Sequence, residues 1–521
     1  MLSNTEIKSV KTLIDVRASQ WPEKVFLYVP ETQQTLSYKQ LQDNCRKIEA
    51  LLGDKKIKES ETVAFLMDNG LWTACLFLGV MYSGRTVLPL NAVAGPDQLA
   101  YTIEHSELRL IFCSDRYQDQ YQHLFSPEKQ SHLSFSVVNS SEDVGPIGID
   151  TFEPIVTEKI IDANSTALMI YTSGTTGRPK GVLLSQKNVL SGGRNTVQAH
   201  RLGVNDIGLC VLPLYHINAE MVSVMAPLMS AGSVVMPRKL SISLFWSWVA
   251  NFQCTWFSAV PTIFSYLLEH QQSEQVSHHH DIDFDVLNQH LRFGRSASAA
   301  LSPAVHEAFE EFFGVQIIET MGISECAAQI LSNPLQREVD YYGSPGVPIG
   351  NEMRVVGEDH QPVENNVIGE IAVRGSNIMK GYFKNPEATA EVLDNNGWFY
   401  TGDLGYRNDD GYFFITGRSK ELIIRGGENI APREIDDVLY KRKEVLEAAA
   451  FGAPSELYGQ EVLACVSLKP GAQCSEEDLL GHCQSLLGKI RSPKRIYIIG
   501  ELPKGPSGKI QRLKLVDRVF E

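Results

Sequence analysis

Short apolar runs alternate with longer segments of helical period along most of the chain, and this alternation constrains the fold more than any other feature. The runs at 63–66, 110–112 and 167–170 are almost entirely apolar, which is typical of buried strands. The segments at 97–105 and 303–313 instead repeat apolar residues at helical spacing. Strands that alternate with helices predict a layered α/β fold whose sheets are largely parallel.

Two regions depart from this alternation. Glycines separate short strands throughout residues 342–416, which predicts a smaller and more antiparallel, β-barrel-like piece. After Arg418, a tail of about a hundred residues has its own strand and helix pattern and approaches the size of a small domain. We therefore predict a large N-terminal domain of layered α/β subdomains plus the β-barrel-like piece, residues 1–418, followed by a small α+β C-terminal domain, residues 419–521.

The overall charge limits the class of partner. Acidic residues outnumber basic ones by 62 to 47, which gives a net charge of -15 and disfavours binding to nucleic acid or to an anionic membrane. No window approaches the roughly 18 uninterrupted apolar residues that a membrane span needs, so we expect no transmembrane segment. The nine cysteines are scattered singly without a CxxC pair, and the N-terminus does not read as a signal peptide. These features predict a cytoplasmic protein.

The strongest chemical signal is the segment 171–181, which directly follows the apolar run at 167–170. It has the sequence YTSGTTGRPKG, with three glycines and four Ser/Thr residues. Backbone N–H groups and hydroxyls of such a loop can all turn toward phosphate oxygens, and Lys180 adds a positive charge. The spacing is not that of a Walker P-loop. The alternative is a Ser/Gly-rich surface turn.

This segment and six others, in the same order, resemble the adenylate-forming superfamily of acyl- and aryl-CoA synthetases, firefly luciferase and nonribosomal-peptide adenylation domains. The wording of 292–298 and 332–334 is most similar to the branch that contains oxalate and related short-acid CoA ligases. The likeness covers nearly the whole chain. The other six segments are 213–216, 321–325, 400–403, 417–421, 425–430 and 503–510.

The resemblance implies a nucleotide site built from these segments. Asp403 resembles the residue that accepts hydrogen bonds from the ribose hydroxyls, and Arg418 the one that contacts ribose and phosphate. Where many relatives place a tyrosine under the adenine, this chain has Met321, which would replace stacking by a thioether contact. The remaining implied nucleotide-binding residues are Thr172, Ser173, Gly174, Thr175, Thr176, Gly177, Lys180, Ser296, Ala297, Ser298, Gly322, Ile323 and Ser324.

The resemblance also implies three catalytic residues. Lys180 and Lys509 would neutralise charge on the phosphates, and Glu325 would coordinate Mg²⁺, a hard cation that takes oxygen ligands. The simpler interpretations are a helix-capping glutamate for Glu325 and a solvated lysine for Lys509. Because Lys509 lies in the last domain, the family's rotation of that domain about the residue at Lys420 would bring it to the site.

The acyl and thiol ends of the site are less readable. The resemblance places His216, Asn218, Val260 and Gly322 near the acyl group, although about half of that region should be plain core. No arginine or histidine there can be assigned to a second carboxylate, so monocarboxylates and dicarboxylates both stay open. Gly426 and Gly427 would leave room for the pantetheine arm of coenzyme A. The alternative is that they simply form a tight turn.

Together, these features predict an ATP-dependent acid–thiol ligase. It would form acyl-AMP and pyrophosphate from a carboxylic acid and MgATP, and would then transfer the acyl group to coenzyme A. One alternative acceptor is the phosphopantetheine of a carrier protein. A different class of function is a non-catalytic nucleotide-binding protein, which the joint presence of Lys180, Glu325, Asp403, Arg418 and Lys509 disfavours. We expect a monomer or a homodimer.

Overall fold

The chain is described by a computed structural model that covers residues 7–91, 93–128, 130, 134–172, 178–272, 283–336, 342–455, 457–505 and 510–520. Two large sheets form the body of its N-terminal part. In both sheets the central neighbouring strands are parallel and the outer strands are antiparallel, which confirms the predicted fold class. None of the described helices combines the length and the apolar character that crossing a membrane requires.

The strands of these two sheets follow one another in a fixed spatial order. In the first sheet the order is Val347–Pro348, Ala328–Ser332, Ile317–Ile323, Phe293–Ser296, Trp256–Ala259, Ile207–Cys210, Ser233–Val235, Val25–Val29 and Gln34–Ser37. In the second sheet the order is Gly381–Tyr382, Lys180–Ser185, Thr166–Thr172, Thr86–Pro89, Thr62–Leu66, Leu110–Ser114, Ser136–Ser141 and Gly145–Pro146.

Helices cover both sheets, as the apolar sequence of the strands requires. All five residues of strand Thr62–Leu66 are buried, and helix Leu71–Tyr82 is buried along its whole length. An element that is apolar on all sides is stable only between other layers. The other α-helices of this part are Val10–Gln20, Tyr38–Asp54, Pro96–His105, Asp115–Gln120, Gln186–His200, Ala226–Ser230, Ile242–Asn251, Pro261–Gln272, Phe284–Leu287, Pro303–Phe313 and Pro386–Val392.

Two smaller sheets follow. The first is antiparallel throughout, in agreement with the glycine-rich pattern of residues 342–416, and consists of strands Glu352–Val356, Gly369–Arg374, Phe399–Arg407 and Phe413–Arg418. The second belongs to the C-terminal unit, and its strands are Glu428–Ile430, Ile423–Arg425, Gly459–Leu468, Val445–Ser455 and Arg495–Ile498. The helices of this unit are Pro432–Leu439, Glu476–Arg491 and Leu513–Phe520.

The C-terminal unit has hydrophobic clusters of its own and meets the body through few polar contacts. Its clusters contain only residues after Arg418. Arg433 donates hydrogen bonds to the backbone oxygens of Ile415 at 2.6 Å and Gly343 at 3.0 Å. A separate core with a small polar junction is the arrangement expected of a domain that can move. The domain boundary and its mobility remain predictions.

Candidate active site

An ion pair between Asp403 and Arg418 marks one wall of the site. These two residues face each other in register on adjacent antiparallel strands, and Arg418 Nε lies 2.8 Å from Asp403 Oδ1. The Asp403 side chain is buried, and its backbone N–H donates to Thr401 Oγ1 at 3.1 Å. The carboxylate of Asp403 raises the pKa of Arg418 above its usual value, so the guanidinium is held in its charged form.

Glu325, Tyr382 and Lys180 form a second group. Glu325 lies in a single 3-10 turn, Ser324–Cys326, and its Oε1 accepts a hydrogen bond from the Tyr382 hydroxyl at 3.0 Å. The Lys180 ammonium lies 4.8 Å from the centre of the Tyr382 ring. Burial and the neighbouring Glu325 raise the pKa of Tyr382, so the phenol stays neutral and donates to the carboxylate. Tyr382 therefore contacts both the predicted phosphate-binding lysine and the predicted Mg²⁺ ligand.

Electrostatic effects join the two groups into one site, here called the charged cluster: Lys180, Glu325, Tyr382, Asp403 and Arg418. Glu325 contributes to the raised pKa of Arg418, and Arg418 acts in turn on Tyr382. Such effects require short distances. The structure thus brings together four of the residues that the sequence motifs singled out, and it adds Tyr382, which the motifs did not include.

The ends of the Ser/Thr/Gly loop lie beside this cluster. Thr172 and Lys180 are partners in register on the antiparallel strands Thr166–Thr172 and Lys180–Ser185. Lys180 in turn lies beside the Tyr382 ring, so this end of the strand pair is next to the charged cluster. The five predicted phosphate-binding residues within this loop lie outside the described residues: Ser173, Gly174, Thr175, Thr176 and Gly177. Lys509, near the C-terminus, also lies outside them.

The predicted adenine-binding stretch begins where a strand of the first sheet ends. Ser296 is the last residue of strand Phe293–Ser296, and its carbonyl accepts a hydrogen bond from Thr320 Oγ1 at 3.1 Å. The Ala297 N–H donates to the Ala259 carbonyl at 3.2 Å. Ser298 has a left-handed φ of 74°. Carboxyl ends of parallel strands are the usual position for ligands in such sheets, so this placement fits a nucleotide site.

Met321, Gly322, Ile323 and Ser324 run along the neighbouring strand end into the turn that carries Glu325. A Cβ on Gly322 would lie 2.3 Å from the Ala328 carbonyl oxygen, so only glycine fits there. The glycine at this position therefore allows the two strands to approach closely.

The predicted acyl residues lie around the same strand ends. The His216 ring packs against Tyr215 with ring centres 4.5 Å apart. Asn218 begins a π-helix, Asn218–Met225, and its Nδ2 lies 3.5 Å from Ser298 Oγ. Val260 is 7% exposed and directly follows the end of strand Trp256–Ala259. A π-helix is often found at functional sites, which agrees with the prediction for Asn218.

Arg295 was not assigned to the acyl group by sequence reasoning, and the structure places it against Asn218. Its Nη1 donates to Asn218 Oδ1 and to Ser258 Oγ, both at 3.0 Å, and its Nε donates to Gln329 Oε1 at 3.1 Å. The residue is only 1% exposed. Burial lowers the pKa of Arg295 to about 9, which leaves the guanidinium charged at neutral pH. We call Arg295, Asn218, Ser258 and Gln329 the arginine pocket.

Glu220 is a second buried ionisable group that the motifs did not reveal. It lies on the π-helix, and neither carboxylate oxygen has a hydrogen-bond partner among the described residues. Burial raises its pKa well above the usual range, because leaving water disfavours the ionised form.

The C-terminal unit contacts the body next to the acyl residues. Lys504 Nζ donates to the Tyr266 hydroxyl at 2.8 Å and lies 3.0 Å from Glu447 Oε1. Tyr266 belongs to helix Pro261–Gln272, which starts immediately after Val260. Lys504 also bridges to Ile510 across the segment that carries Lys509. The base of that segment is therefore anchored beside the acyl end of the site.

The other predicted residues of the C-terminal unit lie apart from the charged cluster. Lys420 is exposed in a 3-10 turn, Ser419–Glu421. Gly426 and Gly427 form the turn between two short strands with φ of 59° and 88°, values that favour glycine. The Gly426 N–H donates to the Tyr458 carbonyl at 2.9 Å. The turn interpretation thus accounts for both glycines in this pose, and no described contact joins them to the charged cluster.

The donor set fits Mg²⁺ bound together with a nucleotide. Magnesium is usually held by one or two carboxylates plus phosphate oxygens and waters, and Glu325 offers one carboxylate in the same cluster as Lys180. Within the described ranges, no group of three or more His, Cys, Asp or Glu side chains is arranged to hold a metal. An ion here would therefore depend on the phosphates for most of its ligands.

Comparison with known proteins agrees with this geometry. The family of AMP-binding enzymes matches residues 14–383, and its C-terminal domain matches residues 434–509. A sulfoacetate–CoA ligase of Cupriavidus necator is 42% identical, with 98% of this chain and 97% of the relative covered. An oxalate–CoA ligase of Arabidopsis thaliana is 34% identical, with 98% of each covered. The crystal structure of ATP-bound MatB from Rhodopseudomonas palustris superposes with a TM-score of 0.88 at 26% identity, covering 98% of this chain and 99% of that one.

Proposed function

This chain belongs to the AMP-binding enzyme family, and from that premise we propose that it is an AMP-forming acid–CoA ligase for a short carboxylic acid. In the first step a carboxylate oxygen attacks the α-phosphorus of ATP, which gives acyl-AMP and releases pyrophosphate. In the second step the thiol of coenzyme A attacks the acyl carbon, which gives acyl-CoA and releases AMP. The observation that best supports this is the charged cluster, which brings together motif residues from distant parts of the chain.

The first step builds negative charge on phosphate oxygens, and the chain supplies cations to offset it. Lys180 and Arg418 both belong to the charged cluster, together with Glu325 and Tyr382. We assign the pyrophosphate end of ATP to Lys180 and the loop it follows. Glu325 would hold Mg²⁺, which when bound offsets charge on the same phosphates.

Asp403 and Tyr382 position the other groups. The Asp403 carboxylate lies 2.8 Å from Arg418 and offers oxygens suited to accept hydrogen bonds from ribose hydroxyls. The Tyr382 hydroxyl holds one oxygen of Glu325, which fixes the direction in which that carboxylate points. Both side chains are mostly buried, so neither position varies freely with solvent.

The pose of the C-terminal unit fits the adenylating step. Lys504 fixes the base of the segment that carries Lys509 beside helix Pro261–Gln272. We propose that Lys509 enters between the carboxylate and the α-phosphate. Gly426 and Gly427 would reach the thiol passage only after the unit rotates about Lys420.

The relatives support a short acid as substrate. Sulfoacetate and oxalate both have two carbons and a second acidic group beside the carboxylate that is activated. Beside the predicted acyl residue Asn218, the buried Arg295 donates a hydrogen bond to the Asn218 side chain. A long alkyl chain would have to displace buried polar contacts there, which is costly.

The second candidate for the acyl acceptor is the phosphopantetheine thiol of a carrier protein.

We also expect action in the cytoplasm, because all nine cysteines are free thiols and eight of them are buried without a disulfide partner. A monomer or homodimer is compatible with this activity, since the charged cluster and the arginine pocket are built from one chain.

Acid-dependent exchange of labelled pyrophosphate into ATP tests the proposal. The purified chain is incubated with MgATP and each of a panel of aliphatic, aromatic, hydroxy, sulfonated and dicarboxylic acids. We expect exchange with short acids only, followed by AMP release when coenzyme A is added. Exchange without turnover on coenzyme A, but with turnover on a phosphopantetheinylated carrier, would favour the second candidate. ADP formation whatever the acid would overturn both.

A further inference from the structure

The arginine pocket contains a buried positive charge that the described protein does not neutralise. All three acceptors of Arg295, namely Asn218, Ser258 and Gln329, are uncharged oxygens. Among the described residues, no carboxylate lies within salt-bridge distance of the guanidinium. Buried charges in proteins are normally paired with an opposite charge, because leaving water is otherwise costly. An arginine in this situation indicates that a further group is needed to complete the site.

The guanidinium also has donors to spare. The hydrogen bonds within the described residues use its Nε and Nη1, and none involves Nη2. Arginine has five N–H donors in a planar fork that matches the oxygens of a carboxylate or a sulfonate. The pocket is thus arranged to receive an oxyanion at the unused side of the fork.

The position of Arg295 connects this oxyanion site to the acyl end. Its partner Asn218 lies 3.5 Å from Ser298, next to the strand ends that carry the predicted adenine stretch. A second of its three partners, Ser258, precedes Ala259 and Val260 at the end of the neighbouring strand. A ligand group at the guanidinium would therefore lie in the acyl region, and the phosphates would lie at the separate charged cluster.

We propose that Arg295 is a specificity-determining residue that binds a second anionic group, a sulfonate or a carboxylate, at the far end of the acid being activated. This rests on the proposed function and narrows its substrate to short acids with two negative charges. Asn218 and Ser258 position the guanidinium. The substrate's second charge completes the pairing that the protein leaves open.

The test compares substrates and variants in the pyrophosphate-exchange assay. Wild type, Arg295→Met and Arg295→Lys are each assayed with sulfoacetate, oxalate, malonate, acetate and propionate. Arg292→Met is the matched control, because Arg292 is three residues away but pairs with Asp206 outside the pocket. MgATP binding, followed by tryptophan fluorescence, reports whether each variant is folded.

We expect wild type to favour at least one acid with two charges over the monocarboxylates. Arg295→Met should lower kcat/KM for that acid by about 100-fold, because a site built to bind a charged group rejects ligands once the pairing is lost. The change for acetate and propionate should stay within about three-fold, as expected for a group they do not contact. The lysine variant keeps the charge without the fork and should lose about ten-fold on the same acid. Arg292→Met should leave the ratio between acids unchanged.

Three results would overturn the inference. One is a folded Arg295→Met protein that loses activity equally on all acids, which would make the arginine structural. Another is a wild-type preference for uncharged acyl groups. The third applies if Arg295→Met does not fold: an Arg295→Lys protein whose ratio of kcat/KM between the acids is unchanged would also overturn the inference. By contrast, no exchange with any acid in wild type would refute the proposed function itself. The preferred acid distinguishes a sulfonate from a carboxylate.

Discussion

The two ends of the site treat positive charge in opposite ways. At the nucleotide end, Arg418 is 36% exposed and lies 2.8 Å from the carboxylate of Asp403. At the acyl end, Arg295 is 1% exposed, and within the described residues its hydrogen bonds all go to uncharged oxygens. A charge that is already paired can hold a nucleotide without choosing between acids. An unpaired buried charge instead requires an anion from the substrate, so selectivity should come from the acyl end.

The largest effect should come from removing charge at the nucleotide end. Glu325→Gln keeps the shape and an acceptor for Tyr382 but loses the carboxylate, and we expect adenylation to fall by about 1,000-fold. The loss should be equal for sulfoacetate and acetate, since Glu325 belongs to the charged cluster and not to the arginine pocket. Exchange rates with both acids measure this, with exposed Glu364→Gln as control. If the adenylation rate fell for one acid only, Glu325 would also affect acid selectivity, and the assignment of selectivity to the acyl end alone would be wrong.

A somewhat smaller effect is expected for Lys509→Ala. This variant tests whether Lys509 supplies a further positive charge between the nucleotide end and the acyl end. We expect adenylation to fall by about 100-fold, because one preorganised donor is lost from the transition state. Transfer of the acyl group to coenzyme A from preformed acyl-AMP should be nearly unchanged. Single-turnover assays of the two steps separate these outcomes, with exposed Lys514→Ala as control. Equal losses in both steps would refute the assigned role.

Tyr266→Phe tests the anchor between the C-terminal unit and the acyl end. It removes the 2.8 Å hydrogen bond from Lys504 but leaves the Lys504–Glu447 pair intact. One such bond is worth about 1 kcal/mol, so the adenylation rate should fall by about five-fold. Transfer from preformed acyl-AMP, which needs the other pose, should not slow. A slower transfer step would show that the contact does not belong to the adenylating pose alone.

The smallest effect should follow from Tyr382→Phe. The substitution removes a hydrogen bond to Glu325 and keeps the ring near Lys180, so we expect a loss of about three-fold in kcat/KM for ATP. The ratio between acids should not move. Initial-rate measurements at varied MgATP, with each of two acids, check both statements. A change in acid preference would place Tyr382 at the acyl end.

Much of the nucleotide end could be predicted because its residues lie in motifs with recognisable order. Asp403 and Arg418 were each singled out by motif, and the structure pairs them across an antiparallel hairpin. The sequence alone does not give this pairing, because an irregularity between Leu404 and Gly405 shifts the register of the hairpin. Tyr382 lies on a strand of only two residues, Gly381–Tyr382, which is too short to leave a period in the sequence.

The acyl end was harder to predict for a physical reason. Arg295 lies on strand Phe293–Ser296, all of whose residues are buried. When both faces of a strand are covered, the alternation of side chains does not tell which face meets a ligand. The stretch was therefore associated with adenine alone. The available signal was a charged residue in the middle of a buried parallel strand, which is costly unless it has a function.

The central claim is that this chain forms an acyl-adenylate and then gives the acyl group to a thiol. The most direct measurement is a single turnover with ATP labelled in the α-phosphate, Mg²⁺ and an acid, in the absence of coenzyme A. We predict an enzyme-bound labelled acyl-AMP that appears only with a suitable acid and becomes AMP when coenzyme A is added. Label recovered in ADP, or AMP formed equally without acid, would contradict the account.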